Sequence, residues 1–159
     1  MTWNPETYLR FADHRTRPAA ELLGRVPLTA PRLVVDLGCG PGNSTALLAA
    51  RWLGARIVGV DSSAEMSARA RASGLNVEWV EADAATFQPD GRPDVVFANA
   101  LFQWLPDHAA LFPRLMAQLM PGGVLAIQMP GNFDAPSHVL LADTARDGPW
   151  AGRVADRVR

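Results

Sequence analysis

The chain has 159 residues, 48% hydrophobic and 19% charged, which suits one soluble globular domain with a sizeable core. Fifteen Arg and no Lys stand against 16 Asp+Glu, a formal net charge of -1 that points away from nucleic acid and anionic membranes and towards a small ligand. Cys39 is the only cysteine, which excludes an internal disulfide, and neither a secretion leader nor a membrane-length apolar span is readable, so the expected compartment is the cytoplasm.

In chain order, Asn4 before Pro5 predicts a helix start, and Arg17 before Pro18 predicts that a second short helix opens there and runs through ELLGRV. Pro27 and Pro31 close this N-terminal unit. RLVVDL is then a short apolar run with both faces hydrophobic, the pattern of a parallel strand buried on both sides. A glycine stretch follows, and after it STALLAARWL has helical spacing. ARIVGVD is the next strand, and SAEMSARARAS the next helix, with Ser63 as N-cap and Gly74 as its stop. NVEWVEAD, DVVFAN and GVLAIQM predict three more strands, with a helix inside DHAALFPRLMAQLM between the last two. Five strands alternating with helices predict an α/β fold with a mainly parallel sheet covered on both faces, which takes its ligand at the carboxyl ends of the strands. The segment after Asp143 is polar and carries Gly and Arg.

The glycine stretch VVDLGCGPGNST narrows the ligand. A phosphate-gripping loop needs a lysine after its glycines, and this chain has none. The dinucleotide fingerprint begins with Gly38 and Gly40, but its third glycine would fall at Asn43, and the glycine present is one residue early, at Gly42. What remains is a GxGxG turn preceded by Asp36. Asp61 ends the second strand about 20 residues beyond, where a carboxylate accepts ribose hydroxyls. Asp83, after the third strand, can accept from an adenine amino group, and Ala84 offers its backbone N–H. The ligand reads as a nucleoside without phosphates.

DLGCGPG, VGVDSS, EADAATF, the Asn99 that ends the fourth strand and LMPGGVLAIQ together resemble the successive motifs of class I S-adenosylmethionine-dependent methyltransferases. The resemblance implies a Rossmann-like three-layer sandwich that binds S-adenosylmethionine and releases S-adenosylhomocysteine. Placed by motif, the cofactor residues are Asp36, Gly38, Gly40, Gly42, Asp61, Ser62, Asp83, Ala84 and Asn99, with Asp36 near the cofactor's ammonium end. More narrowly, WNPETYLRFADHRTRPAAELLGRV and NALFQWLPDH resemble trans-aconitate methyltransferases. That resemblance implies a cap at 1–31 over the cofactor site, a core at 32–135, and a helical or irregular tail at 136–159 that begins a truncated C-terminal part. The family carries two strands after the fifth, none of which is readable here, so Val124 to Met129 is expected to be a sheet edge.

The implied reaction is carboxyl O-methylation of trans-aconitate to its monomethyl ester. The cofactor methyl is already electrophilic and a carboxylate is ionised at neutral pH, so no catalytic base is expected. A polycarboxylate needs fixed cations, which points to Arg15 and Arg17, with Tyr8 beside them, Trp3, Phe102 and Trp104 as apolar walls, and Gln103 as a hydrogen-bonding group. Cys39, Met66, Trp52 and Trp79 read as packing. His14, His108 and His138 are too scattered for a metal site, and no metal is expected. The full-length form is expected to be a monomer. Two other readings are a methyltransferase on a malonyl thioester or quinone precursor, and an inactive cofactor-binding remnant.

Overall fold

A computed structural model describes residues 12–155, with side chains from residue 16 onward. They divide into two compact units, one ending at Met129 and the other starting at Pro130. The first unit runs α1 (Ala12–Gly24), β1 (Leu33–Leu37), α2 (Asn43–Arg51), β2 (Arg56–Asp61), α3 (Ala64–Ala72), β3 (Glu78–Glu81), β4 (Val95–Asn99), a 3-10 turn (Phe102–Trp104), α4 (His108–Gln118) and β5 (Val124–Gln128). All five expected strands form. Every pairing is parallel and the sheet order is β3-β2-β1-β4-β5. Among the described residues β5 is an edge.

The apolar runs are two-sided because the sheet has a core on each face. Val35, Leu37, Val58, Val60, Val96 and Ala98 pack with Phe102 and with Leu111 and Leu115 of α4. On the opposite face Val34, Ile57, Val95, Phe97 and Ala126 pack with Ala19 and Leu23 of α1 and with Leu48 of α2. This alternation places Asp36, two residues after Val34, on the face that α1 and α2 cover. A five-stranded parallel sheet between helical layers is the Rossmann-like α/β arrangement expected.

One local expectation is overturned. Pro18 does not open a helix but lies inside α1, which runs unbroken from Ala12 to Gly24. A mid-helix proline costs about 3 kcal/mol. Ala19 and Leu23 are buried directly after it, and Arg51 donates to the Leu23 and Val26 carbonyls, the latter at 2.8 Å, so tertiary packing holds the segment helical through the proline. The second unit contains α5 (Pro136–Arg146) and α6 (Ala151–Val154) and no strand among its described residues. Ala145 is buried there, while Phe133, Leu140 and Leu141 are exposed.

Candidate cofactor site

The sheet starts at β1, extends outward through β2 and β3, then returns to the other side of β1 for β4 and β5. The order therefore reverses between β1 and β4, and a crevice opens at their carboxyl ends. After Leu37 the chain passes through three left-handed glycines, Gly38 (φ 68°), Gly40 (φ 55°) and Gly42 (φ 96°). The Gly38 and Cys39 amides donate to the Val60 carbonyl at 2.8 and 3.0 Å, which fastens the turn to β2. The Ala46 amide donates to the Gly42 carbonyl at 2.8 Å as α2 begins. A Cβ at Gly38 would sit 2.7 Å from Leu101 Cδ1, and one at Gly42 would sit 3.0 Å from the Trp79 ring. At Gly40 it would meet nothing within 4 Å, so that backbone borders open space.

Asp61, at the end of β2, ties two loops together. Its Oδ2 accepts from the Gly40 amide at 2.8 Å and its Oδ1 from the Ser63 amide at 2.9 Å. A carboxylate oxygen has two acceptor positions, so each retains one for a ligand hydroxyl. Ser63 caps α3 as expected, its hydroxyl accepting from the Met66 amide at 3.3 Å. Ser62 is exposed beside it, and so is Asp83, whose Oδ1 accepts from the Ala85 amide at 2.8 Å. Ala84 is buried.

Asp36 is fully buried. The Thr45 and Ser44 hydroxyls both donate to its Oδ2, at 2.6 and 2.8 Å, while Oδ1 is enclosed without a hydrogen-bond partner. Burial raises its pKa from 3.8 to about 6; the two hydroxyls pull it down and the charge of Asp61 pushes it up. Burial likewise pushes the Cys39 thiol well above its ordinary range, so Cys39 is an inert thiol.

A cleft opens over this turn. Thr16 and Ala19 of α1 form one wall, Gly38, Cys39 and Pro41 line the turn, Asn43 and Ser44 come from α2, and Asn99 comes from β4. Asn99 Oδ1 is a second enclosed acceptor without a partner. After it the chain turns at Ala100 (φ 56°), which accepts from Gln103 Nε2 at 2.7 Å and leaves Gln103 Oε1 enclosed and unpartnered. All three orphaned atoms are acceptors. Of the three residues Asn99 lines the cleft, where its free acceptor suits a ligand that brings N–H or O–H donors, as the amino-acid arm of S-adenosylmethionine does.

Other expected positions lie elsewhere. Arg17 pairs with Glu21 at 3.3 Å on an exposed face of α1, and Trp104 is 64% exposed. Phe102 is no pocket wall but core, fully buried and edge-on to Phe112. Trp3 and Tyr8 lie outside the described residues, and Arg15 lies in α1, outside the described side chains. Ser44 and Thr45 are not among the expected site residues; their signal is two hydroxyl residues in the first turn of α2, eight and nine positions after the aspartate of β1. Among the described residues no group of His, Cys, Asp or Glu can hold a metal ion, and no helix is long and apolar enough to cross a membrane.

The chain is similar to proteins already known. It is 58% identical to trans-aconitate 2-methyltransferase of Methylobacterium radiotolerans and 60% identical to that of Azoarcus sp. (strain BH72), over 97% of this chain in both cases. It spans 59% and 60% of those two proteins. Among solved structures, an S-adenosylmethionine-dependent methyltransferase from Mesorhizobium loti matches with a TM-score of 0.61 at 30% identity, covering 72% of this chain and 53% of that one. Residues 34–123, more than half of the chain, match the family model described as methyltransferase domain, and to that family the chain belongs.

Proposed function

We propose that this chain binds S-adenosylmethionine and forms the cofactor-binding part of an enzyme that methylates a carboxylate of trans-aconitate. The observation that carries the cofactor is the left-handed glycine turn flanked by two enclosed, unpartnered acceptors, Asp36 Oδ1 and Asn99 Oδ1. The relatives named trans-aconitate 2-methyltransferase support the acceptor. When bound, the cofactor supplies an electrophilic methyl group on a cationic sulfur.

The residues around it bind and orient. Gly40 keeps its face of the turn free of side chain, so that the ligand can approach the backbone. Asp61 has two remaining acceptor positions for the ribose hydroxyls, and Asp83 and Ala84 follow β3 where the adenine would lie, with Ser62 nearby. The acceptor carboxylate is ionised at neutral pH and needs no base. The work left to the protein is to hold it in line behind the methyl, and positioning of this kind can supply roughly 7–11 kcal/mol. The resemblance suggests substrate contacts at Trp3, Tyr8, Arg15 and Gln103, whereas Arg17, ion-paired with Glu21 on an exposed face, and Trp104, 64% exposed, are not assigned to the site.

Calorimetry with S-adenosylhomocysteine tests the cofactor. Asp61→Ala should weaken binding at least about tenfold, since hydrogen bonds to a charged group are worth about 1.5–3 kcal/mol each. Equal affinity in parent and variant would remove the ribose role. Mass spectrometry tests the acceptor: a monomethyl ester of trans-aconitate is expected, and turnover of a malonyl thioester with none of trans-aconitate would replace it.

A further inference from the structure

The two oxygens of the buried Asp36 carboxylate are served unequally. Oδ2 receives two hydroxyl protons, from Thr45 at 2.6 Å and Ser44 at 2.8 Å, and Oδ1 receives none. Two donors on one oxygen fix the plane of the carboxylate and favour its ionised form against burial. They also leave the other oxygen as a desolvated acceptor, which is costly unless a donor arrives. No described side chain supplies that donor. Asn99 Oδ1, at the end of the neighbouring strand, has the same lack, and both Asn99 and Ser44 line the cleft. A group that satisfies two such acceptors brings more than one N–H or O–H donor, and an ammonium carries three.

Resting on the cofactor reading above, we infer that Ser44 and Thr45 are positioning residues for the cofactor's ammonium, turning Asp36 so that Oδ1 is presented to it. The charged surroundings of Asp36 are sparse among the described residues. Asp61 at the end of β2 opposes its ionisation, the Cys39 thiol is neutral, α2 offers the two hydroxyls, the register partners of Asp36 are the uncharged Gly59 of β2 and Phe97 of β4, and Arg17 and Glu21 of α1 pair with each other on its exposed face. Ammonium-dependent binding therefore follows the ionisation of Asp36 and falls as pH drops through about 6.

The test compares S-adenosylhomocysteine with 5′-methylthioadenosine, which lacks the amino-acid arm, by calorimetry on the 159-residue chain across pH 5–8. Thr45→Val should weaken S-adenosylhomocysteine about tenfold and leave 5′-methylthioadenosine within about twofold. Thr45→Ser should restore the parent behaviour. The pH at which S-adenosylhomocysteine binding is lost should also move upward in Thr45→Val, because a hydroxyl that favours the anion has gone. Ser44→Ala, at a half-buried position, should act in the same direction and carries the comparison if Thr45→Val does not fold. Equal weakening of both ligands would make the hydroxyls merely structural and overturn the inference, as would an unmoved pH profile. Failure of the parent chain to bind either ligand would overturn the cofactor reading and this inference with it, a result distinct from any hydroxyl-specific effect.

Discussion

Two turns close the carboxyl ends of the neighbouring strands β1 and β4, and they reach left-handed backbone by different means. After β1 three glycines carry positive φ, so that turn adopts its path with little steric strain. After β4 the same backbone region is occupied by Ala100 at φ 56°, where a Cβ costs roughly 1–2 kcal/mol. Ala100 is held there from both sides, its amide donating to the Gln128 carbonyl at 2.8 Å and its carbonyl accepting from Gln103 at 2.7 Å. Where the backbone itself must come close to neighbours or ligand, glycine is required. Where only direction matters, hydrogen bonds can enforce a strained residue.

The largest effect is expected at Gly38. Gly38→Ala combines positive φ with a Cβ 2.7 Å from Leu101 Cδ1 and 2.9 Å from Leu101 Cβ. Strain and overpacking together should destabilise the fold by roughly 3–5 kcal/mol, read by urea denaturation. A loss below about 1 kcal/mol would show that Leu101 yields freely, and would erase the contrast between the two turns.

Between the turns, Asp36→Asn should act in the opposite direction. The folded carboxyl titrates near 6 rather than 3.8, so between those pH values the folded state holds a proton that the unfolded state has released. Its contribution is complete below 3.8 and is lost as pH rises through about 6. The shift of about two pKa units corresponds to roughly 3 kcal/mol. Asp36→Asn should therefore flatten the fall in stability across this window and raise stability at pH 7–8 by up to that amount, while S-adenosylhomocysteine binding is lost. Melts at pH 4 and pH 8 check the first half, and an unchanged pH dependence would remove Asp36 as its source.

Gly40→Ala separates folding from binding. Nothing lies within 4 Å of the added Cβ, so only the positive φ is felt. Stability should fall by about 1–2 kcal/mol, with a larger loss in S-adenosylhomocysteine affinity. Affinity that falls no more than stability would mean that no ligand approaches Gly40. The smallest effect is expected at Ala100, where Ala100→Gly should stabilise by about 0.5–1 kcal/mol as relieved strain outweighs the extra freedom of the unfolded chain. A loss of stability would show that Ala100 is not strained.

The glycine turn was legible because its reason is local: a run of glycines at a strand end has few other uses. The strands were legible because a two-sided apolar run of five or six residues fits a parallel sheet better than a helix. Asp36 and Asp61 stood out as carboxylates at strand ends, yet the sequence did not show that Asp61 is fastened to the Gly40 and Ser63 amides, a pairing that requires β1 and β2 to be side by side. As an apolar residue just past β4 Phe102 suits a pocket wall, and a 3-10 turn sends it into the core instead.

By itself the amino-acid sequence determined the strand and helix periods, the glycine path and the absence of any phosphate-gripping lysine, since each is carried by residues within a few positions of one another. Tertiary structure alone decided that Pro18 stays inside a helix, that Trp79 lies against Gly42 and over Gly59, and that two hydroxyls of α2 converge on one oxygen of Asp36. These features depend on which faces meet across tens of residues. The energies that settle them are burial and hydrogen bonding between segments, which local propensity does not contain.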